Sequence, residues 1–279
     1  MRAIFACGVL ETFLERDFRP FDLSIGCSAG GCILASYLAG QLGRNRHCYT
    51  QYMTRPEFID AKRFLRGGHW VDFDWLWHAM EQAAPIDRAR LAANPTQFLL
   101  STTSYATGKP VFLDPAANDI DLMTALKASC ALPILYRSPV HVGEQRLLDG
   151  GVSAPIPVQE AYRRGARRIL VIRSRPPRFI KRASMLSRLS ALAYGASPAF
   201  AHAIVHAHEA YRDAVSFILA PPSDCEIVHV APAQPLATGR TTQAIAALEA
   251  DYELGRRAGE LAIQRWNAPL AAYTEQAAS

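Results

Sequence analysis

One short string carries a residue that can act as a nucleophile. In Gly26-Cys27-Ser28-Ala29-Gly30 the serine has a glycine two positions away on either side. The alternating residues 21–25 before it are typical of a strand, and apolar residues at helical spacing follow it. On such a strand-to-helix turn the Ser28 hydroxyl is exposed, and glycines avoid clashes with the neighbouring strand and helix. The unpaired N–H groups at the helix start favour developing negative charge, so Gly26, Ala29 and Gly30 are candidate site residues with Ser28. A phosphate-binding or purely structural glycine turn is the alternative.

A serine hydroxyl needs a base, and the string Leu148-Asp149-Gly150-Gly151 offers one. Asp149 stands at the end of a predicted strand, and Gly150 and Gly151 would let its carboxylate approach another backbone segment without a side-chain clash. An ordinary turn in which the aspartate bonds its own backbone is the alternative. An α/β-hydrolase, with the order serine, acid, histidine, fits poorly because only 27 residues precede Ser28 and several strands should.

The histidines and cysteines favour no metal site. His202 and His206 share one face of a predicted helix, but no acidic or cysteine partner completes a recognisable ligand set. The six cysteines form no C-x-x-C pair and no zinc-type spacing, which favours buried thiols over a disulfide framework. We therefore expect no metal, and structural roles for the histidines.

Length and composition indicate a folded α/β protein. The chain has 279 residues, of which 50% are apolar and 20% charged, and this excludes disorder and collagen. The net charge of +5 suits an anionic surface or substrate but is too weak and too dispersed for a nucleic-acid-binding protein. No apolar run approaches the roughly 18 residues of a membrane helix, and Glu11, Glu15 and Arg16 interrupt the N-terminal apolar stretch. We expect a cytoplasmic protein without a signal peptide.

Strand and helix patterns alternate along the chain, and no repeat or linker interrupts them, which favours one domain over residues 1–279. The predicted helices cover residues 4–13, 33–38, 121–129, 158–164, 202–219 and 241–266. The predicted strands cover residues 21–25, a hairpin of 98–105 with 111–113, and 145–148, 168–172 and 227–230. Residues 50–95, rich in aromatic side chains, are predicted to form helices and loops that cover the sheet.

A third string, Ala128-Ser129-Cys130-Ala131-Leu132-Pro133, lies between the other two. With all three in this order, residues 1–175 resemble the patatin-like phospholipase family of Ser/Asp-dyad acyl hydrolases. The resemblance implies a three-layer α/β sandwich with a central, mostly parallel sheet. It also implies a lipid acyl-ester substrate, no metal or organic cofactor, and Ser28 as nucleophile with Asp149 as partner. The basic segment and helices of residues 176–279 resemble a bacterial subgroup of the family.

The chain departs from the family pattern at its first residues. Family members open with a strand and a glycine-rich loop, G-G-G-x-[RK]-G, whose N–H groups form the oxyanion hole. Met1-Arg2-Ala3-Ile4 resembles the end of this motif, with Arg2 at the basic position and Ala3 where the last glycine would be. Each missing oxyanion donor lowers the rate by roughly 10² to 10³, and a missing first strand exposes a sheet edge. We hypothesise that the natural start lies about 25 to 40 residues upstream, enough for a strand and its loop.

Three functions remain open on the sequence. The first is a lipid acyl hydrolase that works through a Ser28/Asp149 dyad and an acyl-enzyme. The second is a lipid-binding protein with little or no turnover, because the oxyanion loop is missing. The third is an esterase or thioesterase for small acyl groups. The sequence does not predict the oligomeric state.

The basic segment of residues 173–188 is the candidate for membrane contact. Apolar residues, among them Phe179, Ile180, Met185 and Leu186, are interspersed with six cations: Arg173, Arg175, Arg178, Lys181, Arg182 and Arg188. Such a segment can dock on anionic lipid headgroups as a peripheral contact. A solvated, mobile loop is the alternative.

Overall fold

The structure is a computed structural model that describes residues 1–117, 120–136 and 138–268. The strands are β1 Leu23–Cys27, β2 Gln97–Ser104, β3 Pro110–Leu113, β4 Val140–Val142, β5 Gln145–Asp149, β6 Arg168–Ile172 and β7 Glu226–Val230. The helices are α1 Ile4–Glu15, α2 Ala29–Leu38, α3 Arg44–His47, α4 Ala61–Leu65, α5 Phe73–Ala83, α6 Arg88–Ala93, α7 Leu122–Cys130, α8 Val158–Arg163, α9 Met185–Leu192, α10 Pro198–Leu219 and α11 Ile245–Asn267. A π-helical turn, Cys48–Tyr52, continues α3. The chain is therefore a mixed α/β protein, as predicted.

The central sheet brings the ends of β1 and β5 together. Its strand order is β1-β2-β5-β4, and β3 also pairs with β2. The sequence predicted a mostly parallel sheet. In the structure the pair β1–β2 is parallel, and so is the separate pair β6–β7. The pairs that β3, β4 and β5 make in the central sheet are antiparallel. In the register, Cys27 lies opposite Ser101 and Asp149 lies opposite Thr102. The strands β1 and β5 thus approach from opposite directions and end at neighbouring residues in the middle of β2.

The second edge of β1 pairs with no strand among the described residues, in agreement with the unpaired edge expected from the sequence. This edge faces β6 across a cavity of about 240 Å³ that α1 and α2 line on one side and α8 on the other. Phe21, just before β1, and Arg168, at the start of β6, both pack on the Trp266 ring, with distances of 5.4 and 4.4 Å to its centroid. The two strands therefore start at the same end of the molecule.

The core is centred on α1, which is apolar on nearly all sides because it lies inside the molecule. Its residues from Ile4 to Phe13 are mostly buried, and α11 packs along it. Added Cβ atoms at Gly8 or Gly255 would approach backbone oxygens of the other helix to 2.2 and 2.0 Å, so glycines allow this close packing. The contact joins the C-terminal helices to the part of the chain that carries the three strings.

Most predicted elements are confirmed, with shifted ends. Strand β1 begins at Leu23 because Phe21 packs against aromatic rings outside the sheet, and α11 begins at Ile245, four residues later than predicted. Strand β4 and helix α9 were not predicted. Residues 269–279, the end of the predicted domain, lie outside the described residues. No helix in the described part of the chain combines the length and the apolar character needed to span a membrane.

Candidate active site

Ser28 occupies the turn between β1 and α2. Its backbone has φ 54° and ψ −129°, a region that residues with a side chain rarely adopt. Backbone strain of this kind costs about 1–3 kcal/mol and persists only where the surrounding structure enforces it. Here the strain places the Ser28 side chain at the N-terminus of α2, where the N–H groups of Ala29 and Gly30 make no hydrogen bond to described residues.

The two glycines of the Ser28 string differ in what surrounds them. A Cβ at Gly26 would lie 2.4 Å from Gly31 Cα, which confirms the expected close approach of strand and helix. A Cβ at Gly30 would meet no atom within 4 Å, so the clash expected there is wrong. The tight position is Gly31, where a Cβ would lie 2.4 Å from Leu100 Cδ2 on β2. The helix turns Gly31, rather than Gly30, toward the sheet.

Ser129 holds the Ser28 turn in place, and the candidate site residues predicted from the sequence did not include it. The Ser28 N–H donates to Ser129 Oγ at 2.9 Å, and this hydroxyl donates to the Ser101 carbonyl at 2.8 Å. The Asp149 N–H donates to the Ala131 carbonyl at 3.1 Å. Residues 128–133 therefore contact both strings, and their presence as a third string in the sequence was the signal that could have identified Ser129.

Asp149 is buried, with 1% of its surface exposed. Its Oδ1 accepts the Gly151 N–H at 2.6 Å, whereas its buried Oδ2 accepts no hydrogen bond of normal geometry. Burial raises the pKa of Asp149 to about 6, and the nearby Ser28 hydroxyl and the Gly151 N–H partly oppose this rise. A carboxylate with one unsatisfied oxygen thus lies close to the Ser28 hydroxyl, and it can accept a proton.

The glycines after Asp149 are required by close contacts. A Cβ at Gly150 would lie 2.4 Å from the Ser101 carbonyl oxygen, and one at Gly151 would lie 2.8 Å from Asp149 Oδ1. Either substitution would push the aspartate away from β2 or from its own hydrogen bond. The two glycines therefore position the Asp149 carboxylate, in agreement with the reason given for them from the sequence.

Arg2 and Lys181 have surroundings that differ from those expected from the sequence. Arg2 itself does not line the cavity in front of Ser28, although Met1 and Ala3 do. Burial, with the charges of Arg175 and Arg240, lowers the pKa of Arg2 to about 10. Lys181, expected on a lipid-docking segment, is half-buried, and its charge lowers the pKa of Asp149.

An apolar cavity of about 170 Å³ opens in front of Ser28. Large apolar side chains form most of its wall: Ile33, Tyr49, Met53, Phe58, Val71, Phe73, Leu76, Trp77, Met80, Met123 and Leu126. The thiols of Cys32 and Cys130 also line it, with their sulfur atoms 3.7 Å apart. Besides Ser28, the polar side chains that line it are Arg44, Asn45, Glu81, Arg240 and Thr241. The aromatic residues 50–95 therefore form a pocket wall, beyond the covering role predicted for them.

Comparison with known proteins matches two parts of this chain. The family model described as patatin-like phospholipase matches residues 1–162, which include all three strings. A second model, for a domain of unknown function (DUF6363), matches residues 197–271. The uncharacterized protein YjjU of Escherichia coli strain K12 is 35% identical over 263 residues, which cover 92% of this chain and 73% of the relative. The chain belongs to the patatin-like phospholipase family.

Proposed function

We propose that this protein hydrolyses carboxylic esters of lipids, with Ser28 as the nucleophile and Asp149 as the base. Membership of the family indicates a lipid acyl hydrolase in general terms. The assignment of Ser28 and Asp149 is supported by one observation, which is that two strand ends meet at the middle of β2. A strained serine follows β1, and a buried carboxylate stands at the end of β5. The proposed frame is the three-layer sandwich that the family resemblance implies.

The reaction proceeds through an acyl-enzyme. Ser28 Oγ attacks the ester carbonyl while Asp149 takes the hydroxyl proton, and that proton then passes to the oxygen of the leaving alcohol. A water molecule gives a proton to Asp149 and attacks the acyl-enzyme, which releases the fatty acid and returns the proton to Ser28. The raised pKa of Asp149 suits this role, because a base is most effective when its pKa lies near the working pH.

The oxyanion is held by the start of α2. The N–H groups of Ala29 and Gly30 are unpaired among the described residues and belong to the first turn of a helix, where backbone dipoles favour negative charge. The Ser28 N–H is already bonded to Ser129 and keeps the turn rigid instead. Preorganised donors of this kind supply the largest part of the rate in many acyl-transfer enzymes.

The cavity favours a long acyl chain over a small acyl group. Its wall is mostly apolar, and Ser28 lines it. An acyl chain in this cavity would bring its ester carbonyl to the Ser28 hydroxyl, and each buried methylene would contribute about 0.8 kcal/mol to binding. Rates that rise with chain length from short to long p-nitrophenyl esters are expected, whereas a small-acyl esterase would prefer the shortest.

A fluorophosphonate probe tests the nucleophile, since it forms a covalent bond with an activated serine. We expect labelling of the intact protein, none of Ser28→Ala, and at least a hundredfold slower labelling of Asp149→Asn. Ser216→Ala, at an exposed position of α10, is the matched control and should label normally. Labelling that persists in Ser28→Ala would remove the proposal.

The second candidate function, a lipid-binding protein with little turnover, is favoured by one observation. Ala3 carries a methyl group beside the cavity where the family motif has a glycine. Under this reading, saturable binding of a long-chain fatty acid would occur without labelling of Ser28 by the probe. The labelling rate therefore separates the two functions.

A further inference from the structure

The segment between β6 and α10 lies in the most basic stretch of the chain. No Asp or Glu occurs between Glu160 and Glu209, and residues 173–188 hold six cations. In the structure these six cations differ in how far they are exposed to solvent. Arg173 is buried and donates to the Tyr211 hydroxyl at 2.8 Å, and Lys181 is half-buried near Asp149.

Three of the remaining cations face solvent. Arg178, Arg182 and Arg188 are exposed, and within the described part of the chain no carboxylate lies within 4 Å of any of them. By contrast, many other exposed arginines of the protein are paired, for example Arg16 with Glu260 at 2.7 Å. The positive charge of this surface is therefore uncompensated.

Helix α9 exposes its large apolar side chains, whereas a helix that covers a core normally buries them. Its outer face presents Met185, Leu186, Leu189 and Leu192, which are 57–76% exposed. Its inner positions hold Ser187, Ser190 and Ala191. A helix that only covered a core would place its leucines inward and its serines outward, because apolar burial drives packing. The sequence of α9 thus keeps its largest apolar side chains available on the surface.

We propose that the outer face of α9, together with Arg178, Arg182 and Arg188, docks this protein on an anionic lipid bilayer. A helix with an exposed apolar face beside cations lies in the plane of the bilayer, with its apolar side chains among the acyl chains and its cations at the headgroups. Charge complementarity selects this occupant over a second copy of the chain. Two copies joined through this face would bring their unpaired arginines together, and the repulsion would oppose the contact.

The inner side of α9 lies next to the candidate active site. Ala191 and Tyr194 pack in one cluster with Leu148 and Val152, which flank the Asp149 turn. The Tyr194 hydroxyl accepts the N–H of Ile134, in the loop after residues 128–133, at 3.0 Å. A bilayer on the outer face would therefore lie one helix away from Asp149. The use of this surface to deliver substrate rests on the proposed function, whereas the binding itself does not.

Vesicle flotation tests the surface independently of catalysis when the Ser28→Ala background is used. We expect this protein to float with phosphatidylcholine vesicles that contain phosphatidylglycerol, and to float at least tenfold less with phosphatidylcholine alone. Leu189→Ser with Leu192→Ser should lower the partition coefficient at least tenfold, and Arg178→Gln with Arg182→Gln should remove most of the preference for phosphatidylglycerol. Leu261→Ser and Arg212→Gln, at exposed positions on other helices, should change neither value.

The same α9 substitutions, made separately in the protein that retains Ser28, should leave its reaction with a fluorophosphonate probe in solution at the normal rate, which shows that they fold. Equal flotation of the α9 double variant and the parent would overturn the proposal, and so would the absence of flotation with anionic vesicles. A dimer in light scattering that the leucine substitutions dissociate would assign the face to a second copy instead, and would also overturn it. A failure of Ser28 labelling would contradict the proposed hydrolase while leaving the flotation result intact.

Discussion

The Asp149 turn and helix α9 are neighbours that break the ordinary rules of protein structure in opposite ways. At the turn a carboxylate is buried, and one of its oxygens has no regular hydrogen bond. On α9 four large apolar side chains face solvent while serines face inward. Neither arrangement stabilises the fold, since burial of an incompletely paired carboxylate opposes folding and an exposed leucine contributes little. Such departures are expected where a residue is retained for function.

The difference between the two regions lies in how firmly each is enforced. The Asp149 turn is fixed by the register with β2, by the bond from Asp149 N–H to Ala131, and by glycines that admit no side chain. The outer face of α9 makes few contacts, so its residues can be exchanged without strain. Substitutions should therefore act strongly and specifically at the turn, and weakly at α9 unless a lipid surface is present.

The largest effect should appear in the pH dependence of hydrolysis. In the proposed mechanism the carboxylate form of Asp149 is the base, and burial raises its pKa to about 6. Hydrolysis of a soluble ester should therefore be constant above pH 7 and about tenfold slower at pH 5, where most of Asp149 is protonated. The measurement is kcat/KM across this range.

Lys181 offers a way to sharpen that test. Its positive charge lowers the pKa of Asp149, so Lys181→Met should move the midpoint of the pH profile upward. Lys62→Met, on the distant helix α4, is the matched control and should leave the midpoint in place. If Lys181→Met leaves the midpoint of the pH profile unchanged, the titrating group is not Asp149.

These regions also differ in how far the sequence alone predicts them. The register explains why the Ser28 and Asp149 strings could be recognised: each lies at a strand end and each needs glycines for a local reason. The partner role of Ser129 depends on how α7 packs against β2 and β5, which no local pattern contains. Likewise, the strand–helix alternation was predictable, but the antiparallel pairs of β3 and β5 with β2 depend on tertiary pairing.

Helix α9 was missed for a related reason. The prolines and cations before it favoured either a docking segment or a mobile loop, and the helix itself has only eight residues. Its inverted polarity becomes visible only when the inner side is known, because periodicity identifies an apolar face but does not say where that face points. The sequence likewise did not indicate which of the basic residues are exposed. In the structure Arg173 and Lys181 turn inward.

A second test of the comparison is the stability of Asp149→Asn. The folded pKa of Asp149 is about 6, above the value near 4 of an unfolded chain, so the unfolded state loses its proton first as pH rises. The carboxylate therefore lowers the stability progressively between pH 4 and pH 6, and the full loss is present above pH 6. Asp149→Asn should raise the free energy of unfolding at pH 7 by about 3 kcal/mol.

Urea unfolding followed by tryptophan fluorescence measures this difference. Near pH 4 the gain should vanish, because the native carboxyl is then protonated in the folded state. An asparagine variant that is less stable at pH 7 would indicate that the carboxylate holds the turn together, and the contrast with α9 would fail. Asp213→Asn, at an exposed position of α10, is the matched control and should change stability little at either pH.

The smallest effect is expected on the outer face of α9. Leu192→Ser removes an apolar side chain that is 76% exposed, so the free energy of unfolding should change by less than about 0.5 kcal/mol. Leu248→Ser, a fully buried leucine on α11, should lower it by about 3 kcal/mol or more, because it leaves a cavity and buries a hydroxyl. Comparable losses in the two variants would mean that the α9 face is covered in solution. A negligible loss at Leu192 would instead show that the fold does not need this leucine, as expected for a side chain that contacts another surface.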